Sequence, residues 1–68
     1  MPELTVAQQE TAAQMHASIV DLCEANGISL PIVVLLLEAV RKGADAQYPA
    51  YAAIIDVVIG LIEKTIGG

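Results

Sequence analysis

The sequence has no Trp, no Phe, one Cys, one His and only three basic residues, Arg41, Lys42 and Lys64. Each shortage closes a route. Without Trp or Phe, and with two Tyr, a core has to be built from Ile, Val, Leu and Ala. A lone Cys23 makes no disulfide within the chain, and one Cys with one His falls short of a zinc ligand set. Three cations against eight acids, a formal charge of −5, argue against nucleic acid, whose binding relies on many Lys and Arg contacts to phosphate. The opening "MPELT" lacks the basic and apolar regions of a secretory signal. With an unpaired thiol, this predicts a cytoplasmic protein.

Chemistry-bearing constellations are missing too. There is no Gly-rich phosphate loop between a strand and a helix, no carboxylate pair in a polar cleft and no nucleophile beside a base. His16 and Cys23 lie seven residues apart and share a helix face, but about 10 Å separates them along the axis. That is too far for the imidazole to activate the thiol. The sequence therefore predicts no enzyme, no catalytic residues, no cofactor and no bound metal. A boundary His and a small buried Cys are the expected roles of the pair.

What is present is apolar residue, 56% of the chain. Sixty-eight residues make one domain, 1–68, and a domain this small buries only about 60% of its unfolded surface. Gly and Pro divide it into three segments of helical period, so the expected fold is all-α. The first helix is expected at about 6–26. Thr5 and Gln8 fit a capping box, Ala12, Met15, Ile19 and Leu22 form its apolar stripe, and Gly27 suits a left-handed stop. The second is expected at about 30–42, with Ser29 as N-cap, Pro31 in the first turn and Gly43 as stop. Its N-terminal half, "LPIVVLLLEAV", has no polar face, which is the pattern of a buried helix. The third is expected at about 49–66, opened by Pro49. Its polar strip is narrow (Ala52, Asp56, Gly60, Glu63), and the apolar arc is wide enough for two packing partners.

This surplus predicts self-association. If the Ile54–Val58–Leu61 face serves the chain's own core, the flank Ile55, Ile59, Ile62 and Ile66 is left over, with Val34 and Leu35 on the second helix. Burying four such side chains yields roughly 6–12 kcal/mol gross. A single core of this size supplies only about 3–5 kcal/mol, so a helical bundle formed by homodimerisation is expected. Tyr48 and Tyr51 with Asp56, or the polar arm Glu3 to Glu10, are the expected contact surfaces for a protein partner. The predicted function is non-enzymatic protein–protein interaction, as an adaptor, inhibitor or small regulatory subunit.

Two alternatives remain from the sequence. A membrane-active, holin-like hairpin would use the two oily segments. However, the second is about half the length of a span, and Asp56 interrupts the third at a cost of about 2.5–3.5 kcal/mol. "GISL", Gly27 to Leu30, resembles the attachment serine of acyl carrier proteins, which implies a small helical carrier modified at Ser29. Those carriers place an Asp directly before the serine, where this chain has Ile28. The terminal "GG" resembles ubiquitin-like modifiers, but they are β-grasp proteins and no segment here alternates with a strand period.

Overall fold

In the computed structural model, which describes residues 4–67, three helices are joined by two short turns. They are α1 (Val6–Asn26), α2 (Leu30–Ala44) and α3 (Pro49–Gly67), and the described residues include no strand. The all-α expectation holds, and the helix boundaries agree within two residues.

Local chemistry accounts for most of these boundaries. At the start of α1 the Gln8 N–H donates to Thr5 Oγ1 at 3.1 Å, and the Thr5 N–H donates to Gln8 Oε1 at 2.9 Å. Two otherwise orphaned donors are thereby satisfied reciprocally. At its end Gly27 takes φ 66°, ψ 30°, and the Gly27 and Ile28 N–H groups both donate to the Cys23 carbonyl. A side chain at Gly27 would be strained there, which is why glycine serves as the stop. Ser29 is the N-cap of α2, but its hydroxyl makes no capping bond; its carbonyl accepts from Ile32 and Val33 instead.

Gly43 does not end α2. The helix runs through it to Ala44, and Gly27 is the only described residue with positive φ. The stop comes one residue later. The Ala44 carbonyl accepts from both Gln47 and Tyr48, and Pro49 then opens α3 at the position where a missing N–H costs least.

α3 is the central element. It packs against both α1 and α2, which touch each other little. α2 runs antiparallel to α3. Arg41 meets Asp56 toward one end, while Pro31 and Val34 lie beside Glu63 and Ile66 toward the other. The core joins Ala12 of α1, Val34 of α2 and Ile55, Val58, Ile59 and Ile62 of α3. Met15, Ile19, Leu30, Val33, Leu37, Ile54 and Val57 pack around it.

This core corrects the expected division of apolar faces. Ile55, Ile59 and Ile62, expected between copies of the chain, are buried within one chain, as is Val34. The reason is geometric. A helix held on two sides buries most deeply the sector between its partners, and on α3 that sector is the 55–58–59–62 row. On α1, Ala12, Met15 and Ile19 meet the core as expected and Cys23 is buried, but Leu22, expected at the end of the stripe, is exposed.

Val58 and Ile62 are the two largest fully buried side chains. Ile62→Ala should lower stability by about 2–5 kcal/mol, a large part of what a domain of this size has. Urea unfolding followed by circular dichroism should show a strongly reduced midpoint. A midpoint within error of the parent chain would mean that Ile62 is not in the core.

Candidate interaction surface

Two surface regions stand out. The first is a groove of about 640 Å³ between the C-terminal half of α2 and the start of α3. Glu38, Arg41, Lys42, Asp45 and Asp56 charge its walls, and Pro49, Ala52 and Ala53 floor it. The Arg41 guanidinium donates to Asp56 across the groove. Asp56 is thus not merely one of a row of solvated acids with Glu63. It ties α2 to α3, in line with a basic residue in the last turn of α2. Both side chains are substantially exposed, at 44% and 38%, so solvent screens the pair and its contribution is of the order of 0.2–1 kcal/mol.

Tyr48 and Tyr51 flank Pro49 in the chain, with ring centroids 5.7 Å apart and planes tilted by 32°. Both are more than half exposed. The core therefore does not cover the rings. The structure does bring Tyr48 and Tyr51 together. Asp56 lies five residues beyond Tyr51, about 140° around α3, and faces Arg41 instead of the tyrosine pair.

The second region is the outer side of α2. Ile32, Leu35, Leu36 and Val40 are 54%, 66%, 61% and 55% exposed. At 100° per residue they occupy one sector, opposite the Leu30–Val33–Val34–Leu37 side that meets the core. Ala39 and Gly43 are exposed in the same sector. Glu38 and Lys42 lie along one edge, so the face itself carries no charge. The sequence pattern marked α2 as apolar all round, and that reading is correct. Within one chain α3 reaches only one side of it, so the other side stays uncovered.

Of the six residues expected at a self-association face, Leu35 and Ile66 are exposed, and the other four are in the core. Ile66 sits with Pro31, Val34, Glu63 and Gly67 around an open depression of about 300 Å³. Sequence reasoning missed Ile32, Leu36 and Val40 as surface residues. Their signal was present in the absence of any polar residue between Leu30 and Leu37, but it does not say which side a neighbouring helix takes.

The remaining candidates have structural roles. The Thr65 hydroxyl donates to the Leu61 carbonyl, which leaves its oxygen to accept from His16 Nε2–H at 3.0 Å. His16 therefore links α1 to α3. Cys23 is buried and unpaired. Gly60 is exposed, and a Cβ built there would meet nothing within 4 Å, so no helix of the same chain approaches it closely. Among the described residues no three His, Cys, Asp or Glu side chains are grouped to hold a metal ion, and no helix is long and apolar enough to cross a membrane. Glu3, in the expected contact arm, lies outside the described residues. Comparison with known proteins found no match, whether among family models, curated proteins or solved structures.

The Arg41–Asp56 link can be checked by a double-mutant cycle. Arg41→Ala, Asp56→Ala and the double variant should give a coupling of about 0.2–1 kcal/mol that shrinks as salt is raised. A coupling of zero at low salt would mean that the two side chains do not meet in solution.

Proposed function

We propose that the chain is a non-enzymatic, homodimeric helical protein that acts by binding another protein, as an adaptor, inhibitor or small regulatory subunit. The observation that carries the reading is the bare, uncharged outer face of α2. Single exposed aliphatic residues are ordinary on a protein surface, but four in one sector of one helix, with no charge between them, are not. Each is about 60% exposed, so covering all four yields about 4–7 kcal/mol gross per chain. Two chains double that, against an association cost of about 4–15 kcal/mol. The balance supports a dimer whose population depends on concentration.

Overall dimensions support it too. A compact monomer of 7.1 kDa has a surface near 4,100 Å², whereas this chain exposes 4773 Å². Its radius of gyration is 11.9 Å, where a compact domain of this length has about 11 Å. A buried unpaired Cys23 suits a reducing compartment, and the cytoplasm is the proposed location.

The partner surface in this reading is the tyrosine pair with the adjoining groove. Paired exposed Tyr rings offer amphipathic contact area at low entropic cost, and the mixed charges beside them would select the partner rather than bind it tightly.

Light scattering from about 100 μM to about 1 μM should give twice the 7.1 kDa chain mass at the high end, falling toward one chain on dilution. A single-chain mass at about 100 μM would contradict the dimer. Tyr51→Ala combined with Asp56→Ala should abolish capture of a protein partner and leave the mass in solution unchanged. Undiminished capture would remove this surface from consideration.

A further inference from the structure

The junction of α1 and α2 holds chemistry that the interaction reading does not use. Asn26, the chain's only Asn, directly precedes Gly27, and both are exposed. We infer that Asn26 is a site of spontaneous deamidation, that the folded end of α1 holds the reaction off, and that the product can no longer close that end.

The reactants are the chain itself and water. The Gly27 main-chain nitrogen, on losing its proton to base, attacks Asn26 Cγ. A C–N bond forms, the Cγ–Nδ2 bond breaks, and ammonia leaves with a proton returned by solvent. Water then opens the five-membered imide at either carbonyl. One opening gives an aspartyl residue. The other gives an isoaspartyl residue, whose main chain runs through the former side chain. Glycine is the successor that hinders this attack least, because it has no Cβ beside the nitrogen. Apart from its chain neighbours, nothing lies within 4 Å of where a Gly27 side chain would begin.

Three features of the folded cap oppose the attack. Asn26 is the last residue of α1, and helical ψ, about −42°, holds the Gly27 nitrogen out of the plane of the ring that must close. The Gly27 N–H is occupied, since it donates to the Cys23 carbonyl alongside the Ile28 N–H. The Asn26 side chain is turned back along the helix, with Nδ2 donating to the Leu22 carbonyl at 2.8 Å. All three must be released together, so the reacting population is the one in which the last turn of α1 is open. A helix end opens at a small cost compared with global unfolding.

The product cannot restore the turn. A carboxylate accepts but does not donate, so the bond to Leu22 is lost and a charged oxygen faces the carbonyl oxygen. The new charge lies at the negative end of the helix dipole, and the last turn of α1 has no basic residue to offset it. In the isoaspartyl form an extra main-chain atom precedes Gly27 and displaces the two N–H groups that converge on Cys23. Modification and opening of the turn thus reinforce each other.

Peptide mapping by mass spectrometry tests this, with the parent chain held in buffer and in urea at the same mildly alkaline pH. Conversion is read as the exchange of NH for O at Asn26, with the isoaspartyl form resolved chromatographically. It should run at least about tenfold faster in urea than in buffer. Gly27→Ala should remove most of the conversion in urea, where the fold no longer matters. Asn26→Asp, followed by circular dichroism, should shift the urea midpoint below that of the parent chain, and failure to fold is the limit of that result. No conversion in urea, or conversion undiminished by Gly27→Ala, would overturn the site. Equal rates in buffer and urea would overturn protection by the cap. An unchanged midpoint for Asn26→Asp would overturn the effect on the cap.

Discussion

The fold depends on one row of α3, Ile55, Val58, Ile59 and Ile62, being enclosed by helices on two sides. With no Trp or Phe available, this aliphatic row is the largest apolar element the chain can bury. α1 contributes Ala12, and α2 contributes Val34. Everything else follows from a shortage of partners. Three helices enclose one row well, but a third layer would be needed to cover the outer side of α2, and the chain has no fourth helix among its described residues.

Polar contacts support this arrangement without driving it. Arg41 to Asp56 and His16 to Thr65 each tie an outer helix to α3 near the surface. Their placement is consistent with α3 as the shared partner of two helices that barely meet. The mixed charge of the α2–α3 groove arises from the same geometry, because both cations near the α2 C-terminus line it together with Glu38, Asp45 and the α3 acid Asp56.

Helix number, the Thr5–Gln8 box and the Gly27 stop were legible in the sequence, because each is local chemistry between residues a few positions apart. So was the presence of excess apolar surface. The location of that surface was not. Helical period shows that Ile55, Ile59 and Ile62 share a flank and that Ile32, Leu35 and Leu36 share another. It does not show which flank a neighbouring helix will take when both are oily. The Arg41–Asp56 contact was hidden for a related reason. Fifteen residues and a turn separate the two, so no local spacing rule brings them together. The end of α2 was misread at Gly43 because glycine is tolerated inside a helix when nothing forces a positive φ.

The central proposal is a division of labour: the α3 row serves the single chain, and the bare α2 face is proposed to serve contact between chains. An isotope-filtered NOE measurement on a mixture of labelled and unlabelled chains separates the two directly. The account predicts inter-chain contacts among the methyl groups of Ile32, Leu35, Leu36 and Val40, and only intra-chain contacts for Ile55, Val58, Ile59 and Ile62. Inter-chain contacts from the α3 isoleucines, with none from α2, would contradict it.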